Sequence, residues 1–439
     1  MNRALAQRMV LCVAAQNSAS TNFEEFTLRD WQENLTWLYK SGLTFPLLKK
    51  IENESTVPAA IRNTLQADFA SNRLRMADMF QEFRGINEAF QAAGLCFAVQ
   101  KGFSLIPEYC AEPAMRHQTD FDYLLAPQCV EQARSILRAR GYIAEIRTET
   151  EHVLQTPLKT QPPEHNFFIL QPSRSVELHL RSWQGSACDV QIPEQGDALE
   201  RIESRVLQGH AFPALAQEDI FLGQSVHALR HIFYFWMRLS WLLEIAQFVR
   251  MQHDNTAFWN RVGEQAQWHP RIGEIIGVVL CLAEEVFQAS IPPSLASWTT
   301  ETLSPAPRLW VKRYGWEFVL APAPGSKLSL LLEEHFAPRT VAWQASRRAR
   351  LFPVHQPKAL TAEPPVTEPT AKKRSRWRKS MGLLPRITFH FRSLLRYGIA
   401  LPGWRWSLQH EKPAQARSER ILDADSGAVI AGNTGSQGK

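Results

Sequence analysis

Two short stretches carry strand patterning, Asp120 to Tyr123 within Thr119 to Leu125 and the whole of Ser175 to Leu180 alternating between polar and apolar residues, in a 439-residue chain whose flanks are patterned for helices. A period of two puts successive side chains on opposite faces of a strand, so each stretch calls for a sheet with one apolar face. Leu95 to Val99 adds a short apolar strand that ends at Gln100-Lys101-Gly102, and Tyr142 to Arg147 and Asn166 to Leu170 are further strand candidates. The last of these leads into the turn-like Gln171-Pro172-Ser173-Arg174. Pro127 opens an amphipathic run that stops at Gly141. On both sides the spacing becomes three and four: Leu28 to Tyr39, Val57 to Ala70 and Leu74 to Ala93 before the sheet, and Gln217 to His335 after it. The expected fold is therefore α+β, a small mixed sheet with helices between N-terminal and C-terminal helical regions.

The expected divisions are a helical lead-in (1–94), an α/β domain (95–216), a helical C-terminal domain (217–352), a proline-rich linker (353–371), a basic aromatic segment (372–407) and a disordered tail (408–439). From Lys372 to Arg405 there are ten Lys and Arg and no acid, so the net charge of +6 becomes about −4 once that segment is set aside. Anionic partners should thus meet the tail. Six cysteines without Cys-x-x-Cys spacing suggest neither a zinc site nor a disulfide framework, and a cytoplasmic setting is expected. The opening MNRALAQRMVLCVAAQ imitates a signal peptide but reads as a first helix. The most apolar stretch, Ile232 to Val249, carries Arg238 and Glu244 and reads as a buried helix.

Three patterns carry chemistry. Asp120 and Asp122 emerge on one strand face while Phe121 and Tyr123 turn to the other, which makes a hard-oxygen site for a divalent cation. Two solvated acids at a strand edge explain the spacing equally well. Lys101-Gly102-Phe103-Ser104 ends the preceding strand; its glycine permits close backbone approach, and its Lys and Ser can contact phosphate. Alone, it is as readily an ordinary strand-to-helix turn. Glu177 and His179 share one face of Val176 to Leu180, and Glu177 gains meaning as a third carboxylate only beside the two aspartates.

Taken together, AVQKGFSLI (98–106), MRHQTDFDYLL (115–125), ARGY (139–142), VELHL (176–180) and the helical 226–249 resemble the uncharacterised nucleotidyltransferases of the polymerase β-like superfamily. The resemblance implies metal-dependent transfer of a nucleoside monophosphate from a triphosphate to an acceptor. It implies Asp120, Asp122 and Glu177 as catalytic and Mg²⁺- or Mn²⁺-binding residues. Lys101, Gly102, Ser104 and Arg116 would contact the nucleotide phosphates. The sequence departs from the usual pattern with Lys101-Gly102 in place of Gly-Ser or Gly-Gly. It also has 17 residues between Gly102 and Asp120, and a Glu as the third carboxylate. These departures bear on catalysis, so a non-catalytic binding or scaffold member of a biosynthetic assembly is the alternative. The resemblance implies an acceptor that the sequence does not name, a small molecule, sugar or peptide, as in polysaccharide or natural-product biosynthesis.

His227 and His231, four apart on a helix, could share a metal, though packing or support of the site is the simpler reading. Arg238 and Glu244 sit where the family tends to carry a basic and an acidic residue, and are expected to buttress the site or approach the acceptor. The mixture of basic and bulky apolar residues in 372–407 suits an anionic membrane surface or a partner protein, ahead of nucleic acid. That places the protein in the cytoplasm, with peripheral contact at the inner membrane surface.

Overall fold

A computed structural model of the chain describes residues 1–15, 22–157, 174–181, 198–267, 269, 271–337, 339–352 and 387–410. The strand expected at Asn166 to Leu170, the turn residues 171–173, the linker 353–371, the basic run 372–386 and the tail from 411 lie outside the described residues. The chain forms two compact units, Met1–Leu303 with Val311–Gly325, and Ser304–Trp310 with Ser326–Lys439.

The first unit opens with α1 (Arg3–Ala14), α2 (Leu28–Ser41), α3 (Thr44–Ile51) and α4 (Ala59–Ala92). Local signals fix their ends: the Asn2 side chain accepts from the Leu5 amide, and Thr27 and Asp30 form a reciprocal capping box on α2. Helix α1 buries Leu5, Met9, Val10 and Val13 and packs against α3 and α9 (Ile272–Phe287). The two helices expected at 57–70 and 74–93 are one continuous helix. Its inward stripe passes through Asp68, Asn72, Arg75 and Met79, all buried, so the apolar spacing lapses where the helix itself does not.

The sheet has seven strands: β1 (Phe97–Val99), β2 (Asp120–Leu125), β3 (Ala144–Arg147), β4 (Glu151–Gln155), β5 (Ser175–His179), β6 (Ile202–Leu207) and β7 (His210–Leu215), in the order β3-β4-β5-β2-β1-β7-β6. Strands β2 and β5 run parallel, as do β1 and β7, and the other pairs are antiparallel. The mixed sheet matches expectation, but β4, β6 and β7 were not foreseen. The β6–β7 hairpin turns at Gln208-Gly209, both at positive φ (49° and 78°), a pair that suits a two-residue hairpin. Helix α4 and α5 (Val130–Ala139) cover one face of the sheet. There Phe80, Phe83 and Phe90 pack on Phe97, Phe103, Phe121 and Tyr123, and the buried Asn87 amide donates to the Tyr123 hydroxyl at 3.1 Å. The opposite face carries the acids.

Helices α6 (Gln217–Phe233), α7 (Leu239–Met251), α8 (Thr256–Ala266), α9 and α10 (Pro293–Ala296) follow. The apolar stretch 232–249 is divided between α6 and α7, with Arg238 at the N-cap of α7. Among the described residues no helix is long and apolar enough to cross a membrane. Helix α11 (Pro305–Val319) comes next, and the second unit contains α12 (Ser329–Phe336), α13 (Val341–Leu351) and a helix at 387–410. This last helix overlaps the C-terminal part of the segment 372–407, read from the sequence as basic and aromatic. Tyr397, Ala400 and Trp404 are buried at three and four spacing, the Lys327 amide donates to Ser393 Oγ at 3.0 Å, and Arg347 donates to the Tyr397 hydroxyl. The dense arginines around it obscured that periodicity in the sequence.

Candidate functional site

The parallel register of β2 and β5 sets Asp122 directly beside Glu177, and Asp120 beside Ser175. On the next strand, β4, Glu151 stands opposite His179. Because side chains alternate, Asp120, Asp122, Glu177, His179 and Glu151 share the face turned away from α4, while Phe121, Tyr123, Val176 and Leu178 are buried beneath. One ligand atom from each of Asp122, Glu177 and His179 falls within 4.8 Å of the others.

Cations sit among these acids. Lys101 Nζ donates to Asp122 Oδ1 at 3.0 Å, and His179 Nε2 lies 3.3 Å from the same oxygen and 3.6 Å from Glu177 Oε2. Burial alone would raise the Asp122 carboxyl pKa, but Lys101 and the His179 hydrogen bond hold it far below the usual carboxylate range. Burial would lower His179, yet its bonds to Asp122 and Glu177 raise it to about 9, so it carries a proton at neutral pH. Burial likewise opposes the Lys101 charge, and Asp122, Glu177 and Asp120 outweigh it and raise the pKa. Asp120 behaves differently: burial, then the charges of Asp122 and Glu177, push it up to about 7. Two neighbouring aspartates on one strand thus differ widely in proton affinity because the cations contact only one of them.

The turn after β1 carries the Lys. Gly102 has φ +69°, and a Cβ there would lie 2.4 Å from Gln118 Nε2. Only glycine fits without displacing Gln118, whose amide donates to the Asp120 carbonyl at 2.7 Å. Ser104, expected at phosphate, is buried in the 3-10 turn Gly102–Leu105, with its hydroxyl donating to the Lys101 carbonyl at 3.2 Å. Arg116, also expected at phosphate, donates from Nε and Nη2 to the two Glu244 oxygens at 2.8 and 3.2 Å, and from Nη1 to the Gly102 carbonyl at 3.2 Å. Helix α4 holds this loop from behind. Asn72 donates to the Ala114 and Arg116 carbonyls at 2.7 and 2.9 Å, and Arg75 to the Gln118 carbonyl at 2.5 Å.

The structure thus gathers Asp120, Asp122, Glu177 and Lys101 on one face and sets Gly102 at the turn beside them, while Ser104 and Arg116 are engaged within and behind that turn. Sequence reasoning missed Glu151, Gln118, Asn72 and Arg75. The two α4 residues had a signal, polar side chains recurring at four and three spacing on an inward stripe. His227 packs edge-on and His231 tilted against Trp241, with ring centroids 4.6 and 4.4 Å from it. Burial, then the Lys101 charge, keep both imidazoles neutral, His231 lowered to about 4. They belong to no metal-holding group found among the described residues. Arg116 and Glu244 also line a cavity of about 650 Å³ with Lys49, Lys50 and Cys110, whereas none of the three acids reaches it.

Two carboxylates and an imidazole converging on one point suit a divalent cation, the oxygens favouring Mg²⁺ or Mn²⁺ and the nitrogen favouring Mn²⁺ of the two. A family model described as an uncharacterised nucleotidyltransferase matches residues 27–288, more than half of the chain and the whole of the acidic site. No match is found among curated proteins.

Proposed function

The chain belongs to the uncharacterised nucleotidyltransferase family, and on that premise we propose that it moves a nucleoside monophosphate from a nucleoside triphosphate to a small-molecule, sugar or peptide acceptor. The observation that carries this reading is the register of Asp122 against Glu177 on parallel strands, with Asp120 on the same face and Lys101 at the Asp122 oxygen. In the reaction an acceptor oxygen forms a bond to the α-phosphorus. The bond from that phosphorus to the bridging oxygen breaks, and pyrophosphate leaves.

Asp120, Asp122 and Glu177 would hold a divalent cation, with His179 able to add a nitrogen after losing its proton. When bound, the cation neutralises triphosphate charge and polarises the phosphoryl oxygens. Lys101 supplies a fixed positive charge to the phosphates, and Gly102 shapes the turn that presents it. The acceptor's proton passes to a carboxylate of this face as the new bond forms. Arg116 works through the turn, fixing the Gly102 carbonyl while Glu244 fixes Arg116.

One observation favours a second reading. Lys101 and His179 together already balance the Asp122 charge, as they would in a member that binds nucleotide without turning it over. Incubation with each nucleoside triphosphate, Mg²⁺ or Mn²⁺ and host extract, followed by mass spectrometry and a pyrophosphate assay, separates the two. A nucleotidylated product with metal-dependent pyrophosphate release supports transfer. Nucleotide binding without release supports the binding member.

A further inference from the structure

The helix at 387–410 has two apolar faces. One is buried, through Tyr397, Ala400 and Trp404. On the other, Ile387, Phe391, Leu395 and Ile399 follow one another at every fourth residue and Trp406 continues the line seven residues on, with 61, 66, 54, 63 and 60% of their surface exposed. Single exposed apolar residues are ordinary on a protein surface, whereas five large ones in a stripe along one helix mark a contact. At 100° per residue the stripe occupies about a third of the helix circumference. The exposed Arg392 and Arg405 fall at its two borders.

Charge decides what covers it. No acid occurs between 372 and 405, where ten cations do, while the rest of the chain is near −4. A second copy laid on this face would set the same arginines against one another, and nucleic acid offers nothing to five bulky apolar side chains. A surface that combines hydrocarbon with anionic headgroups meets both demands. We propose that this face docks the protein on an anionic lipid surface, with Ile387, Phe391, Leu395, Ile399 and Trp406 entering the boundary between headgroups and acyl chains and Arg392 and Arg405 meeting lipid phosphates. The helix lies in the membrane plane and does not cross it. The site is independent of nucleotidyl transfer.

The test is co-sedimentation of the full-length protein with phosphatidylcholine vesicles, with and without phosphatidylglycerol. Wild type is expected to bind the phosphatidylglycerol vesicles, more weakly as salt rises, and to leave the neutral ones largely unbound. Leu395→Gln with Ile399→Gln should weaken binding by about tenfold or more, and Arg392→Gln with Arg405→Gln several-fold. All four side chains are exposed, so melting temperatures should not move. No binding to anionic vesicles, or binding that Leu395→Gln with Ile399→Gln leaves intact, overturns the proposal. So does a dimer that these variants dissociate without any vesicle binding, since that puts a second copy on this face.

Discussion

Arg116 and Glu244, 128 residues apart in sequence, form a two-pronged and largely buried ion pair at 2.8 and 3.2 Å, with 14% and 6% of their side chains exposed, and the third guanidinium nitrogen reaches the carbonyl of Gly102. Helix α7 is thereby tied to the turn that carries Lys101. Removing one partner leaves the other charged and buried, a change that typically costs about 3–5 kcal/mol. Glu244→Ala is therefore expected to lower stability by roughly that amount in denaturant unfolding. A loss near zero would mean that Arg116 finds another acceptor and that the turn does not depend on the pair.

Gly102→Ala should destabilise through two causes that act together. The left-handed φ of +69° costs about 1 kcal/mol for a residue with a Cβ, and the new methyl meets Gln118 Nε2 at 2.4 Å. Gln118 must then move off the Asp120 carbonyl. Faster amide exchange along β2 in the variant, measured by hydrogen exchange, is the expected sign of that movement. Unchanged exchange would show that Gln118 does not brace the strand.

Lys101→Met is expected to lower the melting temperature in a chelator, because Asp122 loses its ion pair at 3.0 Å and Glu177 and Asp120 lose a nearby positive charge. Mn²⁺ should restore much of the loss, since a divalent cation takes over the same charge. Calorimetry with Mg²⁺ present should show weaker triphosphate binding by the variant. Equal affinity in both proteins would remove Lys101 from the nucleotide site.

The two imidazoles beside Trp241 give a pH signature. The His231 pKa is depressed to about 4 from an ordinary 6.5, and His227 is depressed as well. Unfolded chains therefore take up protons that the native state refuses. The stability these residues contribute is present above pH 6.5 and is lost as pH falls towards 4. His231→Phe should flatten that part of the stability profile relative to wild type. Identical slopes between pH 6.5 and 4 would show that His231 titrates normally.

The α+β class, the strands bearing the acids and the Lys-Gly turn were legible because each rests on local spacing: Asp120 and Asp122 two apart, Glu177 and His179 two apart, Gly102 at a strand end. The pairing of Asp122 with Glu177 was legible only through the family resemblance, since 55 residues separate them and register is set by the whole sheet. Hidden features are those in which polar residues do structural work. Asn72 and Arg75 interrupt the apolar stripe of α4 to hold the loop carrying Arg116 and Gln118. Ser104 was placed at phosphate by its position in the turn and by the family resemblance, Arg116 by the resemblance alone, and the structure gives their polar atoms partners within the protein.

The central claim, that these carboxylates form a metal and nucleotide site, is tested most directly by thermal unfolding of wild type, Asp120→Asn and Asp122→Asn. Each protein is melted in a chelator, in Mn²⁺, and in Mn²⁺ with each nucleoside triphosphate. In the chelator at pH 8, Asp120→Asn should be the more stable of the variants, as it removes a charge that burial and its neighbours disfavour. Asp122→Asn should be less stable than wild type because Lys101 and His179 lose their partner. With Mn²⁺ and a triphosphate, wild type is expected to gain stability by mass action, and both variants to gain little or none. An equal rise in all three proteins, or no rise in wild type with any triphosphate, would contradict the account.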